Sequence, residues 1–381
     1  MALNKQTRKF LKHNIGVMIV ALFLIVFMIL SFTGNLTMSN QFLLEKIAIS
    51  ILLAVSLGLV VGFLGELSLG QAGFMCIGAY LGGKVAALLE PSLGNGIGTL
   101  LIALLAGGLA AAASGLLIGL PALRLKGDYL AIVTLAFGEI VKTIFLNTGP
   151  NSFGGATGLS TPRYNRNYLF IFVFVAVIIM LIIIQNLVRS KHGRAITAIR
   201  DSEIASRATG INVTRYKLLV FALSAFFAGI AGVFYSYSNY QVQCTKFDYN
   251  YSIEILVMVV LGGMGNVNGS IIAATLITFL QIKLATVLTG NLAVLQNILY
   301  ALILVLIVIY NNSPKLKDFR EKYNFKALLR KIFKPKVDPS IQKEDEAKWD
   351  RIPTKINMDE ILSMDVKVSE SVVKPDKGGK E

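Results

Sequence analysis

The sequence predicts an all-α integral membrane protein of about ten transmembrane helices, and three observations carry that expectation. Apolar windows of about 20 residues, the length that crosses ~30 Å of hydrocarbon, recur along most of the chain. Charged residues make up only 15% of the 381 residues and hydrophobic ones 54%, whereas soluble domains run near 25% charged. The Lys and Arg residues collect between and beside the apolar windows, as the positive-inside rule requires.

Taken in order, the windows fall at 15–32, 43–64, 68–89, 97–120, 129–147 and 168–188, before a polar basic island. After the island come 218–238, a weaker span at 252–268, then 270–288 and 292–310. The first window has the basic flank of a signal peptide, but its length exceeds the usual h-region and no small-residue cleavage pattern follows, so it reads as a retained helix. The tail 1–14, the island 189–217 and the segment after Tyr310 are all basic, and an even number of spans separates each from the next. All three are expected on the cytoplasmic side, with both termini there and residues 15–310 forming the membrane domain. Arg163 and Arg166 run against this count, since they fall in a loop expected outside.

Residues 311–333 place Leu316, Phe319, Tyr323, Leu328 and Phe333 at roughly helical spacing among many cations, the pattern of a helix lying on an anionic leaflet. From 334 to 381 prolines and mixed charges predict disorder. The net charge of +15 follows membrane topology and is not interleaved with aromatics on a polar domain, so nucleic acid is not an expected partner. Cys76 and Cys244, with His13 and His192, give neither a disulfide framework nor metal-ligand spacing, and no metal is expected.

Several motifs lie within the spans. The spacings Gly58 to Gly62, Gly78 to Gly82 and Gly115 to Gly119 let helix backbones approach closely, either within the chain or at a homodimer seam. GAYLGGKV, at Gly78 to Val85, imitates a phosphate-binding loop, but Val85 replaces the magnesium-holding hydroxyl and the context is an apolar helix. GGMGNVNG, at Gly262 to Gly269, reads as a break between spans. Glu66, Lys84, Glu139, Lys142 and Glu254 are ionisable residues at membrane depth, where each costs about 2.5–3.5 kcal/mol at a helix centre unless a partner or cavity receives it. Glu139 and Lys142 share a helix face, so they can pair or line a route. The Gly-rich polar stretches 65–74 and 148–160 are either connecting turns or parts of a substrate path. They make Gly65, Glu66, Ser68, Gly70, Gln71, Gly154 and Gly155, with Glu139, the candidate path residues.

The island from Arg189 to Lys217 sets Arg189, Lys191, Arg194, Arg200, Arg207, Arg215 and Lys217 against only Asp201 and Glu203. Asp201 is a natural N-cap, Glu203 suits the positive end of a helix dipole, and Gly210 suits a left-handed C-terminal residue. The spacing therefore predicts a helix of about two turns over 202–209, roughly 12 Å long. Ile204 and Ala208 share one face, and Ile196 and Ile199 supply an apolar ridge upstream. A short, partly apolar helix exposed to the cytoplasm needs a surface to dock into.

Together SLGQAGFMCIGAY, KGDYLAIVTLAFGEIV, GPNSFGGATGL, AIRDSEIASRATGINVTRYKLLVFALSAFFAGIAGVFY and VVLGGMGNVNGSIIAA, over about residues 40–310, resemble the LivM-type permeases of ABC importers for branched-chain amino acids. The resemblance implies a permease fold similar to the ten-helix, type II-like importers. It implies a second, LivH-like permease, two cytoplasmic ABC ATPases and an extracytoplasmic substrate-binding protein as partners. ATP and magnesium would be bound by the ATPases, with no cofactor in this chain. It implies that the chain is not itself an enzyme and that the substrate is leucine, isoleucine, valine or a related small amino acid or amide. The island then resembles the Glu-Ala-Ala coupling loop, with Glu203, Ala205 and Gly210 carrying the pattern and Arg200 and Asp201 beside them. Two positions depart: Ile204 displaces the second alanine, and Ser270 stands where the family usually has proline. An ion-coupled secondary carrier is the alternative, with Glu139 and Glu254 as a relay, but it leaves the docking island unexplained.

Overall fold

A computed structural model of the chain describes residues 37–287, except 95, 124, 126 and 163–165, together with isolated positions at 20, 23, 26, 28, 301, 302 and 305. The expected first and tenth spans, the N-terminal tail and the segments 311–333 and 334–381 lie outside these residues. The chain divides into the units Met1–Asn311 and Asn312–Glu381, and every described residue belongs to the first.

The long helices are α1 (Met38–Gly58, continued by a π-helical turn Leu59–Leu64), α2 (Gln71–Leu93), α3 (Ile97–Ala122), α4 (Asp128–Leu146), α5 (Arg166–Arg189), α8 (Val213–Asn239) and α10 (Val267–Val287). These seven are long and apolar enough to cross a membrane, while α9 (Tyr249–Gly262) is shorter. Between α5 and α8 lie α6 (Lys191–Asp201) and α7 (Glu203–Ala208). Two short strands, β1 (Leu159–Ser160) and β2 (Gln241–Val242), pair antiparallel with Leu159 opposite Val242. That ladder is an exception to the expected all-helical chain, and Tyr80 of α2 anchors it by donating its hydroxyl to the Val242 carbonyl at 3.0 Å.

Helix α8 is the hub, packing chiefly against α2, α3 and α1. Small residues permit the crossing. A Cβ on Gly78 would collide with the Gly229 backbone, one on Gly232 with Met75, and one on Gly229 would come 2.7 Å from the Gly107 carbonyl. Gly115 likewise faces Ala225 and Gly119 faces Leu218, so the small-residue spacings serve packing within the chain. Around this seam Phe221, Phe234 and Tyr237 are fully buried. Helix α1 is interior, with 94% of its most apolar window buried, against 28% for α3. The outer face of α3, with Leu101, Leu105, Leu109 and Leu117 exposed, is the apolar surface expected of a helix whose solvent is lipid.

Two irregular breaks separate consecutive helices. After the π-helical turn, Gly65 is left-handed (φ 79°) and residues 65–70 are irregular before α2 begins. Helix α9 ends at Gly262, Gly263 and Gly265 have φ of 89° and 79°, and α10 begins at Val267. This corrects the expected span 252–268, which is not one helix, because its glycines turn the backbone where a side chain would be strained. The two breaks touch: a Cβ on Gly62 would run into the Gly265 backbone. At Ser270, the N–H donates to Asn266 O at 3.0 Å, a bond that proline could not make.

Candidate coupling site and translocation route

The polar segment between α5 and α8 folds as two capped helices. Ser190 Oγ accepts from the N–H groups of His192 and Gly193 to start α6, and Ser202 Oγ accepts from Ala205 N–H at 3.3 Å to start α7. The expected cap at Asp201 is therefore corrected. Asp201 is the last residue of α6, and the extended Ser202 (φ −158°) caps a helix over Glu203–Ala208 in place of 202–209. Serine and aspartate are near-equal caps, and which one turned extended was decided by where α6 stopped. Gly210 behaves as expected. With φ 84°, it donates to Arg207 O while Ile211 donates to Ser206 O, both at 3.0 Å, the paired bonds of a Schellman stop.

The two helices face opposite ways. On α6, Gly193, Ile196 and Ile199 are buried, so the apolar ridge upstream of α7 is turned into the bundle. On α7, Ser206 is buried, while Ala205 and Ala208 are open and Ile204 is 79% exposed. An aliphatic side chain this exposed on a stiff, capped two-turn helix is a ready-made anchor for another surface.

Beneath α7, Arg200 and Glu203 tie the segment to the bundle. Arg200 Nη1 donates to Gly62 O at 3.2 Å, and its Nη2 meets Asp201 Oδ1 at 3.0 Å. Its aliphatic stem covers Gly65, where a Cβ would approach Cγ to 2.6 Å. Lys217, in the first turns of α8, meets Glu66 Oε1 at 2.6 Å and Glu203 Oε2 at 3.3 Å, and Glu203 also pairs with Arg207 at 2.5 Å. Lys217 is 3% exposed. Removing one partner of such a buried pair costs about 3–5 kcal/mol, because the other charge is left uncompensated. Sequence reasoning counted Lys217 only among the island's cations. The available signal was its register: Lys217 shares the helical face of Val213, Val220, Phe221 and Ser224, all buried.

The expected path residues separate into four groups. Gly65 and Glu66 belong to the break and its ion pair. Ser68, Gly70 and Gln71 are buried. Gln71 Nε2 donates to Ser56 Oγ at 2.6 Å, and Ser224 Oγ donates to Ser56 O at 2.8 Å, so Gln71 joins a polar knot between α1, α2 and α8. Glu139 sits apart, paired with Lys142 at 2.5 Å and accepting from Tyr249 N–H at 3.0 Å. It lines a shallow crease with Leu69, Gly138, Asp248 and Ser252. Here α2 and α9 begin side by side, linked by Ala72 N–H donating to Ser252 Oγ at 3.2 Å. Gly154 and Gly155 lie elsewhere, shaping the turn before β1. Lys84 and Glu254 are half-buried and both engage neighbours.

A bundle of long apolar helices, with two glycine-rich breaks between helices and a small capped helix exposed beside it, defines a multi-pass membrane protein. Comparison with known proteins makes the class specific: the chain belongs to the family of branched-chain amino acid transport system permease components, whose model matches residues 39–308. The high-affinity branched-chain amino acid permease LivM of Salmonella typhimurium is 38% identical over 60% of this chain and 60% of its own length. Its Escherichia coli counterpart is 39% identical with the same coverage. The ribose import permease RbsC of E. coli is 27% identical over 78% of this chain and 93% of its own. The chain thus spans about 60% of the length of the two LivM relatives it matches. No solved structure matches it.

Proposed function

We propose that the chain is the membrane-spanning permease subunit of an ATP-driven importer for leucine, isoleucine, valine or a related small amino acid or amide. The observation that carries this reading is α7, a capped helix with Ile204 outermost, bonded underneath to a break in a spanning helix. Its partners would be a second, LivH-like permease, two cytoplasmic ATPases that bind ATP and magnesium, and an extracytoplasmic substrate-binding protein. Hydrolysis would occur on the ATPases, so this chain needs no cofactor and is not itself an enzyme. The island and both termini would face the cytoplasm.

An ATPase can drive transport only if it binds two permease states with different free energies. In this reading α7 follows the ATPase groove as a rigid body, and the spans at the two breaks rearrange around the route. Glu66, Gln71 and Glu139 lie beside helix interruptions, where irregular backbone is tolerated if it lines a cavity. A sugar substrate is the second reading, favoured by the coverage of the ribose permease. Both are ABC permeases, so they differ in cargo and share the coupling scheme.

The test is purification from detergent followed by reconstitution with the ATPases and the binding protein. ATP-dependent uptake of an aliphatic amino acid, absent without the ATPase, is the expected result. Uptake by a complex lacking ATPase and ATP would overturn the reading in favour of an ion-coupled carrier. Ribose uptake with no amino-acid uptake would overturn the substrate class alone.

A further inference from the structure

The buried ammonium of Lys217 lies between two carboxylates that belong to different elements. Glu203 is the first residue of α7, the exposed helix, and Glu66 follows Gly65 directly in the break between α1 and α2. We propose that Lys217 is the positioning residue that transmits displacement of α7 to this break, so that docking on one side resets the helix interruption on the other. The proposal rests on the reading of α7 as the ATPase contact.

The electrostatics favour a link over a simple pin. Water cannot readily replace a lost carboxylate at a group 3% exposed, and a bare charge in a low-dielectric site is costly. When α7 shifts, Glu203 must therefore carry Lys217 with it or sacrifice the contact. Lys217 holds Glu66 more tightly, at 2.6 Å against 3.3 Å for Glu203, so the break-side pair is the firmer half. Glu203 is in turn braced one helical turn away by Arg207.

The break can respond. Gly65 is already left-handed, with Arg200 packed over it, and Gly62 abuts Gly265 of the second break. Displacement of Glu66 therefore reaches both interruptions through backbone contact. Val55, Phe63, Gly265 and Asn266 line a shallow crease where the two breaks meet.

The experiment measures ATP hydrolysis and substrate uptake in the same liposomes, using the complete complex. Lys217→Met should lower uptake per ATP hydrolysed by about tenfold, within the usual range of coupling energies, while hydrolysis persists. Lys217→Arg, whose guanidinium can bridge two carboxylates, should restore the ratio. Lys217→Met alone strands Glu66, whereas Glu203 keeps Arg207, so Glu66→Gln/Lys217→Met is the second variant: it removes the link without that uncompensated charge and should be equally uncoupled. A wild-type ratio in both Met variants overturns the proposal. Failure of both to assemble also overturns it, assigning Lys217 a folding role alone. Absence of ATP-driven uptake by the wild-type complex would instead count against the proposed function.

Discussion

Gly210 and Lys217 sit seven residues apart and differ in how they could be read. Gly210 was legible because its requirement is local: a left-handed residue ends a helix and glycine bears no Cβ penalty there. At φ 84°, a β-branched side chain is strained by about 1–3 kcal/mol. Gly210→Val is therefore expected to loosen the end of α7 and lower ATP-driven uptake while leaving membrane insertion intact. Gly210→Asn should retain most uptake, since asparagine tolerates this conformation. Wild-type uptake by the valine variant in a vesicle assay would remove Gly210 from the coupling site. Lys217 was not legible in this way. Its helical register marks a buried position, but its partners Glu66 and Glu203 are 151 and 14 residues away, so no local pattern names the acids that clamp it.

At the scale of elements, the sequence located the interruptions better than the ends of helices. The stretch Gly262 to Gly269, expected to be a break, does end one helix and start the next, and the Gly-rich stretch 65–74 holds an irregular turn over 65–70, because glycines at positive φ do not continue a helix. The boundary of α7 moved by one residue, since serine and aspartate compete as adjacent caps and the stop of α6 decides between them. The small-residue spacings were legible as close packing, but their partners were not: Gly78 meets Gly229 on a helix far along the chain. Gly78→Ala should destabilise the α2–α8 crossing by about 1–3 kcal/mol, the usual cost of overpacking, read as a lower melting temperature in detergent. Gly98→Ala is the matched control, since its Cβ would meet nothing within 4 Å. Equal melting temperatures for the two variants would contradict the crossing as described.

For the whole molecule, the orientation of the bundle makes one accessible prediction. If the island faces the cytoplasm, Ile204→Cys should react with a membrane-impermeant thiol reagent in inside-out vesicles and not in right-side-out ones. Addition of the ATPase should protect it. Cys76 and Cys244 are both buried, so background labelling is expected to be low. Labelling from the opposite side would reverse the topology, and unprotected labelling in an active complex would move the docking surface away from α7.

By itself, the sequence determined the membrane class, most of the spans within the described residues, the break at Gly262 to Gly269 and the presence of a short capped helix in the basic island. These depend on composition, on windows matched to bilayer thickness and on capping rules that act over a few residues. Only the tertiary structure decided that Ile196 and Ile199 face inward while Ile204 faces out, and that Gln71 closes a knot with Ser56 and Ser224. It alone brought Glu66, Lys217 and Glu203 together. Side-chain direction and ion-pair choice are set by how distant helices cross, and those crossings depend on backbone contacts that no local window of residues contains.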